Sequence, residues 1–250
     1  MRRERSWDGF YNARDLGGVP RLGGGTTSFG QFVRSADVHF VTCDGWRAAQ
    51  DEGFTTVLDQ REPDEVYGTG PGSELTVATV DPTPPALPEG MVWRHVPLDD
   101  HADRAFWEPF MSDGRWCTPL CYAEFLRAKG DRVASVFTAL ASAPAGTVFH
   151  CGAGRDRTGL VAALLLRLAG AEPDAVAADF ALSADAVRPL FTRLGRPDQA
   201  SRVEAVLTTF GTTARDAVLA AVGNLDVRSY LEGSGVSAAD VDRLRNRLAG

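Results

Sequence analysis

The hydrophobic positions along the chain change period several times, and each change marks an element. Residues 54–59 (FTTVLD) form a short β-branched run of the kind a buried strand uses. The segment before it, TCDGWRAAQDEG, carries helix-start residues at Thr42 or Asp44 and a terminating Gly53. Residues 91–98 (MVWRHVPL) alternate with the two-residue period of a strand, and 146–150 (GTVFH) is another short apolar strand. Helical patterns lie between these, over 102–111 and 119–143. From Leu160 onward the pattern is helical, with breaks near Gly170–Pro173, Gly195–Pro197, Gly211, Gly223 and Gly233–Gly235. Residues 67–90 are rich in proline and glycine and read as an exposed excursion, because periodic patterns resume on both sides. Strands alternating with helices, then a helical last third, predict an α/β architecture built as one domain.

Composition narrows the function classes. The chain has 250 residues, enough for a full core, with 44% hydrophobic and 24% charged residues. Its net charge of −7 argues against nucleic acid or an anionic membrane as the main partner. An anionic substrate therefore needs a local positive field. Lys129 is the sole lysine, so most arginines carry a compositional bias before any role is assigned. The basic start MRRERSWDGF has no apolar stretch behind it and is not a secretory signal. The longest apolar run, 160–166, is too short to span a bilayer. Cys43, Cys117, Cys121 and Cys151 show no disulfide-framework pattern and suit a reducing compartment, so the protein is read as cytoplasmic. The spacing in CTPLC could serve a metal, but no second pair completes four ligands, and neither metal nor cofactor is expected. No exposed patch stands out, and a monomer is the default.

One stretch concentrates chemistry. Residues 149–159 (FHCGAGRDRTG) follow a strand, carry three glycines and run into the apolar helix LVAALLLRLAG. Strand, glycine-rich loop and helix is the geometry that holds an anion, because unpaired N–H groups and the helix dipole point at it. Gly152, Gly154 and Gly159 let the backbone curve tightly and approach an oxyanion without Cβ clashes. His150, Gly152, Ala153, Gly154 and Arg155 belong to the expected binding loop, and Arg157 offers a bidentate fork. The same groups would hold Cys151 as a thiolate, the nucleophilic form, and Thr158 could donate a hydroxyl hydrogen bond to the sulfur.

HCGAGRDRTG resembles the H-C-x5-R-[ST] signature of the protein-tyrosine-phosphatase superfamily, and specifically the HCxAGKDRTG loop of its bacterial tyrosine/lipid phosphatases. YNARDLGG (11–18) is similar to the family's N-x-R-D-L-G-G, FVRSADV to R-S-[AG]-x-L, and LDQREPDEV to D-L-R-x-x-x-E. AADFALS (177–183) and the tail VRSYLEGSGVSAADVDRLRNRL also fit. The resemblance implies a single-domain phosphatase-like fold over 1–250, a central mostly parallel sheet flanked by helices, with 171–250 a helical extension that could cover the active site. It implies a phosphatase with a phosphocysteine intermediate, and phosphotyrosine in proteins as the default substrate. A phosphoinositide or a small metabolite such as a nucleotide is the alternative. The sequence departs from the pattern at Arg155 (for Lys), Gln60 (for Leu) and Gly152.

Individual roles divide as follows. Cys151 is the nucleophile and Arg157 the phosphate clamp. His150 either tunes the loop or is a satisfied core histidine. The general acid is Asp156 at the loop rim, then Asp59 at a strand end, then the Asp99/Asp100 pair; Asp59 could instead pair with Arg61. Arg155 extends recognition to a second anionic group or is a solvated rim residue. Asn12, Arg14 and Asp15 build a supporting turn. Two rival classes keep the same cradle: a catalytically silent phospho-ligand binding module, and a thiol redox or arsenate-reducing enzyme needing Cys117 or Cys121 as resolving partner.

Overall fold

The computed structural model describes residues 2–67 and 85–250. Most of the excursion read at 67–90 therefore lies outside the described residues. A five-stranded sheet runs through the molecule: β1 (Arg14–Asp15), β2 (Phe32–Ser35), β3 (Thr56–Asp59), β4 (Val92–His95) and β5 (Thr147–His150). Their spatial order is β1-β2-β5-β3-β4, with β1 antiparallel and every other pair parallel. The helices are α1 (Cys43–Asp51), α2 (Pro63–Tyr67), α3 (Arg104–Ser112), α4 (Tyr122–Ala128), α5 (Gly130–Ser142) and α6 (Arg157–Leu168). The last third adds α7 (Pro173–Ala186), α8 (Arg188–Arg193), α9 (Ala200–Thr209), α10 (Ala214–Val222), α11 (Val227–Gly233) and α12 (Ala238–Ala249).

The strand sequences explain the layering. Successive side chains on the central strands point to opposite faces, and both faces are covered. Val33, Val57 and Val148 face a cluster with Trp7, Phe10, Trp46 and Phe54, on the α1 side. Phe32, Leu58 and Phe149 face the larger cluster built from α4 to α7 and α10 to α12. Helix α6 is buried almost all round, which is why its apolar residues do not confine themselves to one stripe. Thr42 caps α1 by accepting from Gly45 N, as the helix-start signal predicts. Among the described residues no helix is long and apolar enough to cross a membrane.

Parallel strands send their following loops to one edge of the sheet, where sites in such folds assemble. The loop after β5 holds Cys151, the segment after β3 holds Arg61 to Glu65, and the loop after β4 holds Asp99 and His101. Topology alone thus brings three distant stretches of chain to one place.

Candidate active site

The loop from Cys151 to Asp156 is held from outside by its carbonyl oxygens. His150 Nδ1 lies 3.3 Å from Cys151 O, and Asp37 N donates to Gly152 O at 2.8 Å. Asn12 Nδ2 donates to both Ala153 O (3.1 Å) and Gly154 O (3.0 Å). Arg34 Nη2 reaches Gly154 O at 2.8 Å and Arg155 O at 3.4 Å, and Tyr122 Oη donates to Asp156 O at 2.7 Å. With every carbonyl turned outward to a donor, the amides of residues 152–156 find no protein acceptor among the described residues. A run of amides left open in this way suits an anion. Gly154 takes φ +66°, and a Cβ there would sit 2.3 Å from Ser35 O, so only glycine fits.

Arg14 and Arg34 are themselves anchored by Asp179 on α7. Its carboxylate accepts from Arg14 Nε (3.0 Å), Arg34 Nη1 (2.7 Å) and Arg3 Nη2. Ser183 Oγ accepts from Arg14 Nη2 at 2.9 Å. The segments YNARDLGG, FVRSADV and AADFALS, separate in sequence, are thus one bracket behind the loop.

A cavity of about 60 Å³ lies in front of it. Cys151, Gly152, Ala153, Asp156 and Arg157 form one wall; Glu65, His101, Trp116, Cys117, Phe191 and Gln199 form the rest. An adjoining apolar cavity of about 40 Å³ shares Trp116, Cys117, Asp156 and Arg157 and is lined further by Leu98, Trp107, Phe125 and Leu160. Arg157 is gripped by Glu65 through Nη1 and, at 2.7 Å, through Nη2, while its Nε lies 3.4 Å from Asp99 Oδ2. Burial opposes the charge on this guanidinium, yet Glu65 and Asp99 hold its pKa well above the ordinary value. Burial likewise opposes the Glu65 carboxylate, which Arg157 holds below its usual range. Two carboxylates thus fix the direction in which the guanidinium points.

Glu62, next in this acidic rim, is pushed up to about 7, first by burial and then by Asp99. Its Oε1 has no hydrogen-bond partner. A carboxyl whose folded value is raised stabilises the fold below its unfolded value, and that contribution is lost as pH rises through the folded one. Glu62→Gln is therefore expected to raise stability at about pH 8 by roughly 2–3 kcal/mol and to change little near about pH 4. Thermal melts of the two proteins across that range check it.

The remaining predicted residues take varied positions. Asp156 lies at the cavity wall, where it receives Arg155 Nε at 3.2 Å on each oxygen. Arg155 is buried, and its Nη2 donates to Gln199 Oε1 (2.9 Å) and to Cys117 O (3.5 Å), so it ties the loop to the helical third and is not a solvated rim residue. Thr158 is buried and its hydroxyl donates to Gln60 Oε1 at 3.2 Å, not to sulfur. Gln60 Nε2 is without a partner; turning that amide over would place Nε2 on Thr158 Oγ1 and release the hydroxyl proton. His150 is buried behind the loop, with burial lowering its pKa against the pull of Asp59, so it supports the backbone and does not line the cavity.

Asp59 as general acid needs correction. It is wholly buried, receives Arg61 Nη2 at 2.7 Å and Nε at 2.9 Å, and lines neither cavity. Burial alone would raise it, but His150 and Arg61 hold it far below the carboxylate range. Of the pair after β4, Asp100 is held by Lys129 (3.1 Å) and Arg132 (3.1 Å), while Asp99 reaches Arg157. Cys117 lines the cavity with Cys151, at φ +56°. Burial pushes the Cys117 and Cys121 thiols far up, away from the thiolate a resolving cysteine uses.

Sequence reasoning missed Glu65, His101, Trp116, Phe191 and Gln199. Only Glu65 carried a signal, as the final position of D-x-R-x-x-x-E in LDQREPDEV. The others arrive from elements that nothing local ties to the loop.

Comparison with known proteins gives relatives of one kind. Over 268 aligned residues the chain is 26% identical to the triple specificity protein phosphatase PtpB of Mycobacterium tuberculosis, covering 88% of this chain and 91% of that one. It is 31% identical over 145 residues to a tyrosine-protein phosphatase of Nostoc commune, covering 51% of this chain and 47% of the relative. The model of the tyrosine phosphatase family matches residues 5–250, and with the loop, its bracket and the oriented arginine in place, the chain belongs to that family.

Proposed function

We propose that the protein hydrolyses phosphate monoesters through a phosphocysteine. Cys151 Sγ attacks phosphorus and the ester P–O bond breaks, with Asp156 giving its proton to the leaving oxygen. Water then attacks phosphorus, the S–P bond breaks, and inorganic phosphate leaves while Asp156 recovers a proton. Arg157 and the amides of residues 152–156 stabilise the equatorial oxygens. The observation that carries this reading is the outward tethering of every loop carbonyl, which leaves amides, guanidinium and sulfur facing one phosphate-sized cavity. Four free thiols fit a cytoplasmic enzyme, working as a monomer on a phosphorylated substrate.

Phosphotyrosine in proteins is the default substrate. A second reading, a small phosphorylated metabolite or a phosphoinositide head group, draws on Phe191 and Gln199, which bring the helical extension over the cavity. Phosphate release from phosphotyrosine peptides, phosphoinositides and nucleoside monophosphates distinguishes them. Oxyanion binding without turnover of any monoester would instead identify a silent binding module. Asp156→Asn is expected to lower kcat by ~10²-fold or more on alkyl phosphates and much less on p-nitrophenyl phosphate, whose leaving group needs little protonation. Equal losses on both substrates would remove Asp156 from the acid role.

A further inference from the structure

Resting on that phosphatase reading, we propose that His101 is a second cationic ligand of the phosphoryl group, donating from Nε2 to an oxygen that Arg157 also contacts. His101 is 3% exposed and lines the cavity together with Cys151, Gly152 and Arg157. Its Nδ1 faces Asp64, 3.3 Å from Oδ1 and 3.4 Å from Oδ2, which fixes the ring and commits the Nδ1 proton. Nε2 is buried and has no hydrogen-bond partner. A buried ring nitrogen left open beside an anion cradle is costly unless a ligand completes it.

The neighbouring carboxylate shows where that ligand sits. Asp99 Oδ2 lies 3.6 Å from His101 Nε2 and 3.4 Å from Arg157 Nε. One oxygen therefore stands between the two donors at distances longer than a good hydrogen bond. A phosphoryl oxygen in the cavity, closer to both, replaces a loose carboxylate contact by two charge-assisted bonds. The charge balance favours the same outcome. Glu62, Asp64, Glu65 and Asp99 face this ring, against the cation of Arg157. Burial opposes protonation of His101, but Asp99 and Glu65 raise its pKa above the ordinary imidazole value. A protonated ring offsets acid that would otherwise repel a dianion. Trp116 packs against the ring, its centroid 5.6 Å away, and limits its movement.

Tungstate is a suitable probe when kept dilute enough not to polymerise, because the monomer is a dianion across the range in which a histidine titrates. Its affinity is measured by calorimetry on the wild-type chain, His101→Asn and Asp64→Asn, with p-nitrophenyl phosphate hydrolysis run in parallel. Wild type is expected to bind tungstate more weakly at about pH 8 than at about pH 6. His101→Asn is expected to lose ~10–100-fold in affinity at the lower pH, and with it the share of the pH dependence that ionisation of Glu62 does not supply. Asp64→Asn, which keeps the imidazole and removes its anchor, loses less at the lower pH and shifts the dependence to lower pH. It also serves if His101→Asn does not fold. Affinity within about twofold of wild type at both pH values, for either folded variant, overturns the proposal. A wild-type chain that binds tungstate but releases no phosphate defeats the phosphatase reading and leaves the His101 contact standing.

Discussion

Replacing Cys151 by serine is expected to lower kcat for any monoester by at least ~10³-fold while leaving oxyanion binding largely in place. The cradle does not depend on the sulfur. Its carbonyls are fixed by Asn12, Arg34, Asp37 and Tyr122, and its guanidinium by Glu65. The hydroxyl fills the same space but, un-ionised at neutral pH, is a far weaker nucleophile than a thiolate. Single-turnover phosphate release and tungstate titration on the same sample separate the two effects. A serine variant that retains more than about a tenth of the wild-type rate would falsify the covalent mechanism.

The parts of the molecule legible in the sequence are those whose cause is local. β3 and β5 are short apolar runs, α1 is announced by its Thr42 cap and Gly53 stop, and the breaks of the helical third fall at glycines and prolines. β2 was not legible as a strand. Its sequence, FVRS, buries an arginine and a serine completely, and the pattern rules assume polar residues face water. The stretch 119–143, which reads as one helical pattern, divides at Lys129, whose ammonium is drawn to Asp100 and Asp103 across the molecule. The break between α7 and α8 at Val187 had a signal in Pro189, inside the first turn of α8.

The site divides along the same line. Cys151 and Arg157 share one loop, so their spacing states their chemistry. Asp59 ends β3, Glu65 lies on α2 after it, and Asp99 and His101 lie in the loop after β4, so their relation to the Cys151 loop is set by strand order, which no local pattern encodes. Asp59 makes the point. A carboxylate at a strand end looks like a catalytic acid from sequence, yet Arg61 two residues on folds back to claim both its oxygens.

The largest structural effect is expected at Asp179, a residue that touches neither cavity. Three guanidiniums, from Arg3, Arg14 and Arg34, converge on this one buried carboxylate. Burial would raise its pKa, but Arg14, Arg34 and Arg3 hold it far below the carboxylate range. Arg14 shows the opposite strain, lowered to about 10 by burial and by Arg34. Asp179→Asn keeps the shape and removes the carboxylate that all three guanidiniums contact, leaving buried cations under-compensated. Such losses cost about 3–5 kcal/mol, which for a chain of this size lowers Tm by roughly 6–20 °C. The sign with pH follows from the depressed carboxylate: its contribution is present above the unfolded value near about 4 and fades as pH falls below it. The gap between variant and wild type should therefore narrow on acidification. Activity follows stability for a separate reason, because Arg34 Nη2 is the donor that fixes Gly154 O at 2.8 Å. Below its own Tm the folded variant is expected to show weakened tungstate affinity and reduced kcat together, since a cradle free to rotate its peptide planes no longer presents its amides as a set. A variant that melts with wild type would show that the three arginines find other partners, and the account of how α7 supports the loop would have to be abandoned.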